Sequence, residues 1–186
     1  MNLNDVKKLE VARSRADAAE VALKKRREAA TAEHLNKAAA EFREYFSAAG
    51  FTVATSPRGL TASIGQMTFK LEMNESDVAG ALGAVKIIPP AESKEEPTTL
   101  SLFRKLAADG PVTTLHLQEL TPLQEMEKKA ADLEAALQRP FPEVEFVRMQ
   151  VTARVGPYGA RGQAPRPKVE RFGSFTEALS TLYPSS

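Results

Sequence analysis

Between Asn2 and Ala49 the chain contains neither proline nor glycine, and most of its residues are Ala, Leu, Glu, Lys and Arg, which favour a helix. Gly50 supplies a stop, and a β-rich pattern begins at Phe51. One helix over this stretch would be about 70 Å long at about 1.5 Å per residue. Residues 51–186, folded compactly, would measure roughly 35–40 Å across. Such a helix cannot lie wholly on that body. It either extends past it or folds back as a hairpin near its middle, and both arrangements suggest an arm that meets something else. The expected division is therefore a helical region, 1–50, and a body, 51–186.

The helix reads as two halves. Val6, Leu9, Ala12, Ala16, Ala19 and Leu23 form a narrow seam at spacings of three and four, as in a coiled coil or an alanine-rich helix pair. Lys24-Lys25-Arg26-Arg27 interrupts it. Leu35, Ala38, Ala39, Phe42, Tyr45, Phe46 and Ala49 then make a wider stripe with three aromatics, suited to packing on a sheet. The basic tetrad has the composition of a nucleic-acid or localisation patch. Four consecutive helical residues point in four directions, however, so a solvated face is the preferred reading.

The middle of the chain alternates with period two. Residues 51–55 and 60–64 flank the turn Ser56-Pro57-Arg58-Gly59, and Gly65-Gln66 leads into Met67, Phe69, Leu71 and Met73, expected to share one buried face. Residues 84–88 form a fourth expected strand, ended by Pro89-Pro90, and 91–97 a polar linker. Residues 99–108 fit a short helix closed by Asp109-Gly110, with a strand as the alternative. Residues 112–120 and 143–155 alternate as strands. Thr121-Pro122-Leu123-Gln124 combines an N-cap, a first-turn proline and a capping-box glutamine, opening a helix to about Gln138 with Leu123, Met126, Ala130, Leu133 and Leu137 as its seam. Ser174–Glu177 opens a C-terminal helix in the same way. These elements make an α+β fold: an antiparallel sheet of five or six strands covered by helices, with the long N-terminal helix as a coiled-coil arm.

No motif in the chain carries recognisable catalytic chemistry. There is no cysteine, hence no thiolate metal site and no disulfide, which fits a reducing cytoplasm. His34 and His116 are isolated, and a residue three along a strand from His116, Glu119, faces the other way. Glu125, Glu127, Glu143 and Glu145 have no spacing that demands a shared site, so an enzyme built on carboxylates is the least favoured reading and no cofactor is expected. Asp5, Lys7, Lys8 and Glu10 break the N-terminus before an apolar run can form, so no signal peptide is expected there. Without an apolar run of about 18 residues, no membrane span is expected either.

Two regions are candidates for binding. Leu9, Ala16 and Leu23 repeat every seven residues, as do Leu123, Ala130 and Leu137. The two seams are therefore expected to meet in a helix–helix contact, within one chain or across a dimer, and the first set is the expected contact for a protein partner or for self-association. Residues 154–171 carry Arg154, Arg161, Arg166, Lys168 and Arg171, opposed only by Glu170 and accompanied by Tyr158, within a Gly/Pro-rich loop. That composition suits phosphate backbones and stacked bases, an acidic protein partner, or plain surface. A net charge of +1 argues against a generally basic nucleic-acid binder. The leading expectation is a non-catalytic interaction or assembly subunit. The alternative is a nucleic-acid-binding accessory protein.

Overall fold

The computed structural model describes residues 3–74, 78–105, 120–150 and 168–184. Its first element, α1 (Leu3–Ala48), is one unbroken helix of 46 residues, so the hairpin alternative is excluded. Contacts divide the chain into two units, one of residues 1–32 with 106–142, the other of 33–105 with 143–186.

The second unit is built on an antiparallel sheet of seven strands in sequential order: β1 (Thr52–Ser56), β2 (Gly59–Ile64), β3 (Met67–Asn74), β4 (Gly83–Ile88), β5 (Thr98–Arg104), β6 (Val144–Gln150) and β7 (Lys168–Phe172). Every strand pairs with its neighbour in sequence, and the registers place one row of side chains on a common face. Val53 lies opposite Ala62, Leu60 opposite Leu71, Leu71 opposite Ile87, Val85 opposite Leu100, Leu102 opposite Phe146, and Phe146 opposite Phe172. That face packs on the second half of α1, through Ala38, Phe42 and Phe46, and on α3 (Phe175–Leu182), through Phe175, Ala178 and Leu179. Of the predicted helical stripe only Ala49 stays out of this core. Phe46 is the hub of its aromatic part, with ring centroids 4.5 Å from Phe42, 4.8 Å from Phe69 and 5.3 Å from Phe51.

Local chemistry explains the connections. Gly59 approaches β3 so closely that a Cβ would lie 2.1 Å from the Leu71 carbonyl oxygen, and its φ of +152° is one that a side chain disfavours. Only glycine fits there. Ser174 caps α3 by accepting from the Glu177 N–H at 3.1 Å, while the Glu177 carboxylate reaches back to the Gly173 N–H at 2.7 Å. Glu41 on α1 accepts from the Thr176 N–H at 2.7 Å and ties α1 to the opening turn of α3.

Several expectations are corrected. Among the described residues the sheet has seven strands rather than five or six. Residues 98–104 are β5, not a helix: Leu100 and Leu102 alternate into the core, and ladders to β4 and β6 satisfy the backbone on both sides. Lys168–Phe172, read as loop and loop flank, is the edge strand β7. An edge strand that buries only Phe172 carries no alternating apolar signal. Among the four side chains expected in the core from β3, Leu71 is fully buried and Phe69 and Met73 pack on the core, but Met67, at the strand's start, is half exposed. The expected strand at 112–120 falls, but for Leu120, outside the described residues, as does the end of the 143–155 strand beyond Gln150.

Candidate functional site: the N-terminal helical unit

The first unit pairs the first half of α1 with α2 (Pro122–Gln138). Sequence dictates how α2 starts. Thr121 accepts from the Gln124 N–H at 3.4 Å, Gln124 Oε1 accepts from the Thr121 N–H at 3.0 Å, and Pro122 occupies the first turn. At its other end a residue of α1 closes the helix. The Arg26 guanidinium donates to the Leu137 and Arg139 carbonyl oxygens, both at 2.7 Å. Those carbonyls belong to the terminus that intrahelical bonds leave unsatisfied and that carries the negative end of the helix dipole. The basic tetrad thus has a structural member in Arg26, while Lys24 makes only a long contact to Glu28 on its own helix, at 4.0 Å.

Two ion pairs also join the helices. Arg15 meets Glu134 in a two-pronged contact at 2.9 and 2.6 Å, and Lys129 meets Glu20 at 3.5 Å. Arg15 holds the Glu134 carboxyl below the usual carboxylate range. On the seams, Ala12, Ala16 and Ala19 of α1 and Ala130 of α2 are buried, whereas Leu9, Leu23, Leu123, Met126, Leu133 and Leu137 are half-buried. Small residues permit the close approach and the long ones border it. Of the three predicted contact residues, Ala16 is therefore enclosed within this unit, while Leu9 and Leu23 retain surface.

Four large apolar side chains of α1 stay exposed. Leu3 is 74%, Val11 62% and Val21 55% exposed, and Val6 nearly as much. Val21 and Leu23 line an open cleft of about 460 Å³ together with Leu133 of α2, rimmed by Lys24, Arg27 and Glu20. A second cleft, of about 400 Å³, shares Leu133 with it and is lined by Leu120, Lys128 and Asp132 as well. Leu23 and Leu133 both stand on the seams read from the sequence, whereas Val21 does not. Val21 lies off the heptad seam, and only the pairing with α2 shows that an off-seam valine borders a cleft.

The basic candidate is only partly within the described residues: Arg154, Tyr158, Arg161 and Arg166 lie outside them. Lys168 and Arg171 stand on β7. Lys168 meets Glu170 at 2.9 Å, Arg171 pairs with Glu145, and Arg148 joins Glu170 at 3.4 Å. Lys168 and Arg148 together hold the Glu170 carboxyl below its ordinary range. Both described cations of the candidate thus face carboxylates. Among the described residues no group of three or more His, Asp or Glu side chains could hold a metal ion, and no helix is long and apolar enough to cross a membrane. His34 is half-buried on α1, and His116 lies outside the described residues. Set against known protein families, curated proteins and solved structures, the chain matches none.

Proposed function

We propose that this protein is a non-catalytic interaction or assembly subunit that engages a protein partner through its N-terminal helical unit. The observation that carries the reading is the cleft lined by Val21, Leu23 and Leu133 together with Lys24, Arg27 and Glu20, the last of these paired with Lys129. An amphipathic helix with an acidic flank has the matching chemistry: its apolar residues would leave water in the cleft, and its carboxylates would meet the rim. Val21, 55% exposed at this cleft, leaves apolar surface that a partner would remove from water.

The test substitutes residues that are outside the core. Val21→Asp combined with Arg27→Glu should leave the thermal melt unchanged and remove the proteins that co-purify with the wild-type chain from its native host. A photo-crosslinker at position 21 should trap the same protein. An unchanged set of co-purifying proteins with the double variant would reject the cleft.

The second reading is nucleic-acid binding by residues 154–171. It rests on composition, and the pairing of Lys168 and Arg171 with carboxylates reduces what those two cations would contribute to a phosphate backbone.

A further inference from the structure

The two edges of the sheet differ in chemistry. The edge strand β7 carries Lys168, Glu170 and Arg171 in five residues, the kind of charge that keeps an open edge from pairing. The opposite edge strand, β1, reads Thr-Val-Ala-Thr-Ser and carries no charge and no proline. Among the described residues it is the last strand on its side of the sheet.

The hydrogen-bond phase identifies what β1 offers. Arg58 O accepts from the Met73 N–H at 3.2 Å, so residue 58 and, by alternation, Leu60, Ala62 and Ile64 direct their backbone groups toward β3. Gly59, Thr61 and Ser63 therefore face β1, where their partners are Ser56, Ala54 and Thr52. Val53 and Thr55 are left pointing their N–H and C=O groups away from the sheet. The Phe51 N–H is already donated to Phe46 O at 2.9 Å, so the pairing-competent edge begins at Thr52.

The adjoining corner is apolar. Val53, Ile64 and Met67 share the helix-covered face by register, and Ile64 is 40% and Met67 50% exposed. An uncharged edge beside uncovered apolar side chains is the arrangement that edge protection normally removes.

We infer that β1 is a homodimer interface, at which two copies pair their β1 strands antiparallel about a two-fold axis at Ala54 and join two seven-stranded sheets into one. This register sets Val53 opposite the partner's Thr55 as a mutually bonded pair, and Thr55 opposite the partner's Val53. Ala54 meets its own copy through a side chain small enough for close approach. A two-fold axis makes the contact isologous and closes it at two copies, because among the described residues each chain has one such uncharged edge. The second copy is the fitting occupant because the strand is self-complementary: with no charge in it, no register sets like charges opposite one another.

The experiment measures mass in solution against concentration by sedimentation, using the full chain alone, so its outcome does not depend on the partner cleft. The wild type should pass from monomer to dimer. Ala54→Lys, which would set two lysines opposite each other, and Thr55→Pro, which removes an outward N–H, should each weaken the dimer about tenfold or more. Val169→Lys on the other edge should not. Hydrogen exchange on the wild type gives a readout that needs no variant: the Val53 and Thr55 amides should gain protection as concentration rises, while Thr52 and Ala54, already bonded to β2, should not change. A wild type that stays monomeric throughout, a dimer indifferent to both β1 variants, or concentration-independent exchange at Val53 and Thr55 would each overturn the inference.

Discussion

Gly59 and Glu170 show how single residues set the limits of this sheet. At Gly59 a methyl group would collide with the backbone of β3, and backbone cannot swing aside as a side chain can. Gly59→Ala should therefore destabilise the second unit by about 1–3 kcal/mol, the range for a non-glycine residue forced into a sparsely populated conformation. A chemical-denaturation midpoint that does not move would show that β2 and β3 can separate locally without loss. Glu170 acts through charge. Its folded-state carboxyl is held below the ordinary range by Lys168 and Arg148, so the unfolded chain binds the proton more readily than the folded one. The resulting stability is present above the ordinary carboxylate pKa and is lost as pH falls through the folded value. Tyr183 works at the other end of the scale: burial, then Glu95, raises its hydroxyl above the ordinary tyrosine value, against a hydrogen bond from Thr98. Its contribution is complete below the ordinary tyrosine pKa and is lost as pH rises through the folded one. Melting temperature against pH should thus fall at both extremes, with Glu170→Gln flattening the acid limb and Tyr183→Phe the alkaline limb.

The elements that sequence reveals are those whose own side chains state their surroundings. The second half of α1 announces its core contact with three aromatics, and β3 alternates cleanly because one of its faces is covered. Thr121 and Ser174 mark helix starts through side-chain chemistry that acts within four residues. By contrast, β5 is decided by its neighbours. The 98–104 segment has a helical option, and only strands on both sides turn its backbone groups into ladder bonds. An edge strand such as β7 has still less to show, because charge is what keeps it from pairing further. The cleft was half legible for the same reason: Leu23 sits on a heptad, while Val21 and Leu133 come together only when α1 and α2 do. Two substitutions weigh these elements. Phe42→Ala, at a fully buried aromatic in the centre of the core, should cost about 3–5 kcal/mol by denaturant titration. Arg26→Ala removes the donor to two terminal carbonyls of α2, one in a part-buried and one in an exposed hydrogen bond, so its effect should be smaller, about 0.5–1.5 kcal/mol. An Arg26→Ala cost as large as that of Phe42→Ala would mean that the C-terminus of α2 depends on this one side chain.

Over the whole molecule, one helix serves two units with different kinds of interior. Around Phe42 and Phe46 the helix meets an aromatic core fed by seven strands and α3. Around Ala12, Ala16 and Ala19 it meets small residues, and the long side chains that join it to α2 are largely exposed ion pairs, which stabilise little in water. Alanine removes far less apolar area from water than phenylalanine, so the first unit gains less per turn of helix. A helix can nevertheless open locally, since its cooperativity extends over a limited number of turns. Native-state hydrogen exchange should therefore divide α1: amides from about residue 8 to 28 should open at a lower free energy than those from 40 to 48, although every one of them lies in the same unbroken helix. Changing Leu9 and Leu23 to lysine should widen the gap by accelerating exchange in the first half alone, and the cooperative melt of the sheet unit should survive. Uniform protection along α1, or loss of the sheet's melt in the double variant, would show that the helix unfolds as one piece and that the first unit is part of the structural core. A division near residue 32, the boundary drawn by contacts, would instead identify a helical unit able to loosen and re-form around a partner while the sheet stays folded.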